Sequence, residues 1–270
     1  MIPDKRLGQH FLTDRNILQR IVDALDPAPD DVVLEIGAGT GTLTVVLCPR
    51  VRSVIAIEKD RRLVAELGMR SAECGMEKLT VVHGDALRAD WHALVTPHSA
   101  FPSPHFKIVG NIPYAITSPL IDKALTPPLP ERIVFLVQAE VAARVSAAPG
   151  SKTYGALSVG VQAVCRVERL FLVRAGAFHP RPRVDSALLR LTPLATPPVA
   201  PEELAALRVF VAACFSRRRK QLRNVVMAAT GQSAAVVRVG LRELGLDPAA
   251  RPETLGPGEF ARLLRWSARL

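Results

Sequence analysis

The segment Val32-Val33-Leu34-Glu35-Ile36-Gly37-Ala38-Gly39-Thr40-Gly41 decides the fold of this 270-residue chain. Its first five residues form a short, largely β-branched run that predicts a buried strand, and a helix follows the glycines. Glycines at alternate positions let the backbone turn tightly and come close to a ligand at the carboxyl edge of a parallel sheet. The segment therefore predicts the first strand, loop and helix of a ligand-binding α/β domain.

The glycine spacing also indicates the class of ligand. In the dinucleotide fingerprint G-x-G-x-x-G the third glycine would stand one residue later than Gly41 does. The observed spacing, with Glu35 before the loop, fits a nucleoside that carries a sulfonium and a carboxylate better than a pyrophosphate. An NAD-dependent dehydrogenase is the disfavoured alternative.

Further strand and helix patterns alternate along the chain. The predicted strands are Val32–Ile36, Val54–Ile57, Leu79–Val82, Phe106–Val109 and Arg132–Val137, with Leu170–Val173 and Ala187–Leu191 as two closing strands. The intervening helical patterns include Asp14–Ala24, Arg61–Glu73 and Ser118–Ala124. This alternation predicts an α/β fold with a doubly wound, Rossmann-like sheet of seven strands.

A Pro-rich stretch at Pro193–Pro201 predicts a domain boundary. We therefore predict a catalytic domain over residues 1–195 and a small helical domain over residues 196–270. Residues 196–270 hold 12 Lys and Arg against 6 Asp and Glu, which gives +6 of the formal net charge of +10. This excess favours a polyanionic partner, and a basic solubilising surface is the alternative.

Acidic residues stand at the ends of the second and third predicted strands. Glu58 follows Val54–Ile57 and would accept hydrogen bonds from both ribose hydroxyls of a nucleoside. Asp85 follows Leu79–Val82 and would accept from the amine of an adenine. Parallel strands end at one edge, so both carboxylates should lie beside the glycine loop. An acid at position 58 also suits NAD and does not discriminate by itself.

The fourth predicted strand leads into Asn111-Ile112-Pro113-Tyr114, which combines an amide, a rigid turn and an aromatic ring. The exocyclic amine of a base is a poor nucleophile because its lone pair is delocalised into the ring. Carbonyl oxygens of the Asn111 side chain and the Ile112 main chain would accept its hydrogens and localise that pair. Tyr114 would hold the base by stacking, and Pro113 would fix the turn. An ordinary strand-ending turn is the alternative for this motif alone.

Composition excludes other classes of protein. The cysteines at 48, 74, 165 and 214 form no C-x-x-C pair, and six scattered histidines show no ligand spacing. We expect reduced thiols and no metal. No apolar run reaches the roughly 18–20 residues of a membrane span, and the polar start at Met1–Arg6 predicts no signal peptide. We therefore expect a cytoplasmic protein that does not associate with a membrane.

Taken in order, these motifs resemble the KsgA-type ribosomal RNA adenine N6,N6-dimethyltransferases, within the class I S-adenosylmethionine-dependent methyltransferases. The resemblance begins at Gly8–Leu12, includes Gln138–Arg144, and covers nearly the whole chain. Three stretches resemble that family in particular: Pro149–Gly155, Phe178–Ser186 and Phe215–Asn224. Ile112 departs from the leucine of many members, which should matter little if its main-chain carbonyl does the work.

The resemblance implies S-adenosyl-L-methionine as the cofactor. The residues that match the family's cofactor contacts are His10, Leu12, Gly37, Glu58, Asp85 and Asn111, and Gly39 and Gly41 complete the predicted binding loop.

Two further sets of residues are candidates for contact with nucleic acid. Phe178 could close on the face of the target adenine opposite Tyr114, with a core phenylalanine as the alternative. A basic cluster on a predicted helix suits phosphate contacts, with a solvated helical face as the alternative. The cluster consists of Arg217, Arg218, Arg219, Lys220 and Arg223.

These expectations combine into one predicted function. The protein would transfer methyl groups from S-adenosylmethionine to the N6 of two adjacent adenosines in a 16S rRNA hairpin loop, acting as a monomer on the small ribosomal subunit precursor. The alternatives are a 23S rRNA adenine methyltransferase, a DNA adenine methyltransferase, and a non-catalytic RNA-binding assembly factor on the same scaffold. The lack of a long recognition domain counts against the DNA enzyme.

Overall fold

The computed structural model describes residues 8–70, 75, 77–98 and 105–269. The chain divides into two compact units. Met1–Ala142 and Val167–Pro193 form the first unit, and Ala143–Arg166 and Leu194–Leu270 form the second. This division differs from the sequence-predicted one, because Ala143–Arg166 groups with the C-terminal residues. Within the second unit the Tyr154 hydroxyl donates to the Leu255 carbonyl at 2.9 Å, a contact between residues far apart in sequence.

A seven-stranded sheet forms the centre of the first unit. The strands of the described chain are β1 (Phe11–Leu12), β2 (Val32–Ile36), β3 (Ser53–Glu58), β4 (Leu79–His83), β5 (Lys107–Asn111), β6 (Arg132–Gln138), β7 (Cys165–Val173), β8 (Phe178–His179) and β9 (Ser186–Pro193). The order of strands in the large sheet is β4-β3-β2-β5-β6-β9-β7. Strand β2 pairs in parallel with β3 and β5, β3 pairs in parallel with β4, and β5 pairs in parallel with β6. Strand β9 runs antiparallel to β6. The predicted Rossmann-like α/β sheet is confirmed.

Burial explains why the central strands are readable in the sequence. All five residues of β2 and all six of β3 are buried, as expected for strands covered on both faces.

The helices of the described chain are α1 (Arg15–Leu25), α2 (Thr42–Leu47), α3 (Arg61–Met69), α4 (Trp91–Val95), α5 (Thr117–Ala124), α6 (Ala139–Val145), α7 (Ala156–Gln162), α8 (Leu204–Ser216), α9 (Leu222–Thr230), α10 (Ala234–Glu243) and α11 (Pro257–Ser267). The Asp14 side chain caps α1 by accepting from the backbone N–H groups of Asn16 and Ile17.

A second, two-stranded sheet pairs β1 with β8 in the first unit. Phe11 lies opposite His179, and Leu12 lies opposite Phe178. The pairing fixes the segment before α1 to the segment before β9. Leu12 and Phe178 are both buried in the hydrophobic core of this unit.

The basic segment of the second unit is not helical, so the predicted helix through it is wrong. Helix α8 ends at Ser216, and α9 begins at Leu222. Residues 217–220 form consecutive turns, in which the Lys220 N–H donates to the Arg217 carbonyl at 2.8 Å. We call residues 217–220 the basic turn; Arg223 lies in the first turn of α9.

Three of the four cysteines, Cys48, Cys165 and Cys214, are buried, and Cys74 lies outside the described residues. Burial raises the pKa of the Cys165 and Cys214 thiols to about 12. Within the described part of the chain, no helix is both long enough and apolar enough to cross a membrane.

Candidate active site

A cavity of about 360 Å³ opens at the carboxyl edge of the parallel strands, a size typical of small-ligand sites. Residues at or just after the ends of β2, β3, β4 and β5 line it. The predicted cofactor residues on its wall are His10, Leu12, Gly37, Gly39, Glu58, Asp85 and Asn111. Gly41 does not line the cavity. It caps α2 with a φ of 77°, and a Cβ there would lie 2.5 Å from the Leu67 side chain.

The glycine loop has the conformation that the spacing predicts. Gly37 and Gly39 have φ values of 70° and 60°, which residues with a Cβ rarely adopt. The Gly37 N–H donates to the Ile57 carbonyl at 2.9 Å, which ties the loop to the end of β3. A ligand can therefore approach the loop backbone closely.

Glu58 is the anchor of this loop. The side chain is 6% exposed, and its Oε2 accepts from the Gly39 N–H at 2.9 Å. Its Oε1 accepts from the backbone N–H groups of Lys59 and Asp60, both at 2.8 Å. Both carboxylate oxygens are thus oriented by the backbone at the wall of the cavity. These bonds take three of the roughly four lone-pair sites of the carboxylate, and the one that remains, on Oε2, suits a ribose hydroxyl.

Asp85 lies further along the same edge, in the turn after β4. Its Oδ1 accepts from the Leu87 N–H at 2.9 Å, and its Oδ2 accepts from the Lys59 ammonium at 2.9 Å. The hydrogen bond from Lys59 is the largest of the effects that lower the pKa of Asp85. The carboxylate is charged at neutral pH and able to accept from an amine.

The Asn111 amide is held in one orientation. Its Nδ2 donates to the main-chain carbonyl of His10 at 2.8 Å. Its Oδ1 has no hydrogen-bond partner among the described residues, so the carbonyl end is the one available to an incoming amine. The Ile112 N–H donates to the Leu136 carbonyl at 3.0 Å, which fixes the turn that follows β5.

Tyr114 lies on the cavity wall with its ring held at two places. Its hydroxyl lies 2.8 Å from the Ser186 hydroxyl, and its ring centroid is 5.7 Å from that of His10. Burial raises the pKa of the Tyr114 phenol, so the side chain is neutral. An aromatic face beside the Asn111 amide is the arrangement needed to hold a flat base.

Phe178, like Gly41, is a predicted site residue that does not line the cavity. It is 5% exposed and packs in the core of the first unit. It is not among the described residues that line the cavity. In this structure Phe178 packs as a core residue, which was the alternative to base stacking. Stacking on a base requires the ring to move.

Glu35 is a cavity residue that the sequence marked only as an acidic residue before the glycine loop. It lies on the cavity wall, is 1% exposed, and its Oε2 accepts from the Thr44 hydroxyl at 2.6 Å. Burial, opposed by this hydrogen bond and assisted by the charge of Glu58, raises the pKa of Glu35 to about 8. The sequence showed an acidic residue before the glycines, but it did not show that this residue would be buried. Ser186 ends the family-like stretch Phe178–Ser186, but nothing in the sequence marked it as the partner of Tyr114.

In the second unit, the predicted RNA-binding residues differ in how they are held. The Arg218 side chain donates to the Ser151 carbonyl at 3.2 Å and lies 3.5 Å from the Glu253 carboxylate. Arg217, Arg219 and Lys220 are exposed. Arg218 therefore has a structural role, while its neighbours present charge to solvent.

The chain is similar to known proteins over almost its full length. Residues 3–263 match the family described as ribosomal RNA adenine dimethylase. The ribosomal RNA small subunit methyltransferase A of Syntrophotalea carbinolica is 43% identical over 262 residues, which is 97% of this chain and 95% of the relative. That of Geobacter metallireducens is 41% identical over 263 residues, or 97% and 94% of the two chains.

Solved structures agree with this match. A dimethyladenosine transferase from Plasmodium falciparum superposes with a TM-score of 0.78 at 29% identity, covering 94% of this chain and 96% of the other. The 23S rRNA methyltransferase ErmE superposes with a TM-score of 0.72 at 29% identity, covering 96% and 99%. Match, site and fold agree: the chain belongs to the ribosomal RNA adenine dimethylase family and is, as the sequence predicts, an S-adenosylmethionine-dependent methyltransferase.

Proposed function

We propose that this enzyme dimethylates the N6 of two adjacent adenosines in a hairpin loop of 16S rRNA during small-subunit biogenesis. The observation that carries the proposal is the Asn111–Tyr114 turn, which places an oriented amide and an aromatic face on the wall of one cavity. The names of the relatives at 43% and 41% identity support the small subunit as the source of the RNA. ErmE, a 23S rRNA methyltransferase, is 29% identical.

The cavity residues fit S-adenosylmethionine. The donor set combines close-approach backbone at Gly37 and Gly39 with carboxylates at Glu58 and Asp85. These carboxylates suit ribose hydroxyls, the adenine amine and the positive charge of the ligand. When bound, S-adenosylmethionine supplies an electrophilic methyl group on a positively charged sulfur.

The chain's own residues prepare the attacking amine. The Asn111 Oδ1, with the Ile112 carbonyl, accepts the N6 hydrogens and localises the lone pair on nitrogen. Tyr114 holds the base plane, which would orient N6 for in-line attack on the methyl group of a bound cofactor. Transfer would form the N–C bond as the C–S bond broke, leaving S-adenosylhomocysteine, and the nitrogen, then strongly acidic, would lose its proton to water. No general base is required. The second transfer would use one of the two acceptors, because the singly methylated amine keeps one hydrogen.

Binding of the RNA is assigned to the C-terminal part, residues 196–270. Its support is the charge of +6 in that range and the exposed cations of the basic turn. The target base must be unstacked to enter a cavity, which favours a loop or exposed single strand as the substrate. A ribosomal RNA substrate and the buried thiols of Cys165 and Cys214 support a cytoplasmic enzyme, which we propose acts as a monomer.

A substrate panel tests the proposal. The enzyme is incubated with methyl-labelled S-adenosylmethionine and, separately, with small-subunit RNA particles, large-subunit RNA and DNA, followed by mass spectrometry of the nucleosides. We expect N6,N6-dimethyladenosine in the small-subunit RNA alone. Methylation of large-subunit RNA or DNA in preference would establish one of the two enzymatic alternatives. Binding without transfer to any of them would establish the non-catalytic one.

A further inference from the structure

The inference concerns Ser186, a buried hydroxyl at the amino end of β9. Ser186 is fully buried, and its backbone lies opposite Gln138 of β6. The residue before it is also tied to the sheet, because the Asp185 carbonyl accepts from the Ala139 N–H at 3.0 Å. The Ser186 hydroxyl is therefore a fixed point of the sheet, and it lies 2.8 Å from the Tyr114 hydroxyl.

Tyr114, by contrast, lies on an irregular part of the backbone. It begins a single 3₁₀ turn, Tyr114–Ile116, after Pro113, and its side chain is half-buried. One turn of helix does not by itself determine where the far end of a tyrosine ring lies. A hydrogen bond from that far end to a rigid strand does.

Two contacts restrict different motions of this ring. The hydroxyl lies on the long axis of the ring, so its bond to Ser186 fixes the position of the ring's end but not rotation about that axis. Rotation is limited by the His10 imidazole, which lies 5.7 Å away at an interplanar angle of 31°. His10 is in turn held by a 2.7 Å hydrogen bond between its Nδ1 and the Pro180 carbonyl.

We propose that Ser186 is a positioning residue for methyl transfer, which acts by fixing the Tyr114 ring against which the target base stacks. The inference rests on the proposed role of Tyr114 as the base platform. In-line transfer is sensitive to small displacements of the attacking nitrogen. A ring released from Ser186 still offers an aromatic face, but it no longer holds that face at one position relative to the Asn111 amide.

A double-mutant cycle tests the inference. Ser186→Ala and Tyr114→Phe each remove one partner of the same hydrogen bond while keeping the ring. Each should lower the single-turnover transfer rate about 5- to 10-fold at saturating cofactor and RNA, the scale of one net hydrogen bond. The double variant should be no slower than the slower single variant, because the bond is lost once. The dissociation constant for S-adenosylmethionine should stay within about twofold.

Thr192→Val is the matched control, since Thr192 lies on the same strand and its buried hydroxyl has no partner among the described residues. It should transfer methyl groups at the wild-type rate. A wild-type rate for Ser186→Ala would overturn the inference, as would losses that multiply in the double variant. A proportional loss of cofactor affinity and thermal stability would also overturn it in favour of a purely structural role. The cycle runs on whichever substrate the wild type methylates, so a wrong RNA assignment shows separately in the wild-type panel.

Discussion

Replacing Glu58 by glutamine tests the cofactor site most informatively, because the change keeps the shape of the side chain. The carboxylate accepts from three backbone N–H groups, those of Gly39, Lys59 and Asp60. An amide has one acceptor oxygen, so Glu58→Gln must turn its NH₂ group toward at least one of these donors. The orientation that costs least keeps the oxygen on Lys59 and Asp60 and opposes the Gly39 N–H.

The expected losses of stability and of cofactor affinity follow from the hydrogen bonds that Glu58 makes. Hydrogen bonds to a charged group contribute roughly 1.5–3 kcal/mol each, and the site of Glu58 is nearly closed to solvent, with 6% exposure. Loss of the Gly39 bond should lower the free energy of unfolding of the cofactor-free protein by that amount. Loss of one bond to the ribose should raise the dissociation constant for S-adenosylmethionine roughly 10- to 150-fold.

Calorimetric titration and urea unfolding measure these two quantities. The control is Glu168→Gln on β7, where the carboxylate pairs with Arg190 and does not line the described cavity. An S-adenosylhomocysteine analogue without the ribose hydroxyls separates the two effects, since it should bind weakly to the wild type and lose little more in Glu58→Gln. An unchanged dissociation constant in a folded variant, or an equal analogue penalty in both proteins, would refute the assignment of Glu58 to the ribose.

Three other predictions concern RNA binding, base stacking and pH. Changing Arg219 and Lys220 to glutamine should weaken RNA binding and flatten its dependence on salt without changing cofactor affinity, whereas Arg218→Gln should chiefly lower stability; an unaltered slope of log affinity against log salt contradicts this. Phe178→Ala should lower the free energy of unfolding by about 3–5 kcal/mol; Phe178→Leu should cost less stability yet lose about 1–3 kcal/mol of RNA binding if the ring stacks on the base, and wild-type binding of Phe178→Leu would leave Phe178 as a core residue. Glu35 has a pKa raised to about 8 from 4.5, so the folded protein holds a proton that the unfolded chain releases, and the stability of the wild type falls relative to Glu35→Gln as pH rises from about 4.5 to about 8. Urea unfolding at pH 5 and pH 8 without cofactor measures this difference, and a constant difference contradicts it.

The parallel core of the fold was readable in the sequence because its strands are buried on both faces. Such strands appear as continuous apolar runs, and the predicted bounds of β2 coincide with the observed Val32–Ile36. The same logic placed the strand-end residues Glu58, Asp85 and Asn111 on one cavity wall, since parallel strands end at one edge of the sheet. Local pattern and global fold agree there.

The features that escaped prediction depend on contacts between distant parts of the chain. Strands β1 and β8 have two residues each, too few to show the alternation of apolar and polar residues that marks a strand. Their pairing also joins segments far apart in sequence. The grouping of Ala143–Arg166 with the C-terminal residues likewise has no local signal. In the basic turn, four consecutive cations looked compatible with a helix, but they lie in turns between two helices. The Ser186 hydroxyl is 72 residues from Tyr114 in sequence, and nothing local marks it as a partner.

The most direct test of the central claim is the single-turnover rate of Asn111→Ala at saturating S-adenosylmethionine on small-subunit RNA. Asn111 Oδ1 is proposed to accept from the target amine as the nitrogen becomes tetrahedral, so the rate should fall roughly 10²- to 10³-fold. RNA affinity should stay nearly unchanged, and the wild type should yield N6,N6-dimethyladenosine. Saturating cofactor is needed because the Asn111 side chain also holds the His10 carbonyl beside the cofactor cavity. A near-wild-type rate under these conditions would mean that the amine is activated elsewhere, and the account of this site would be wrong.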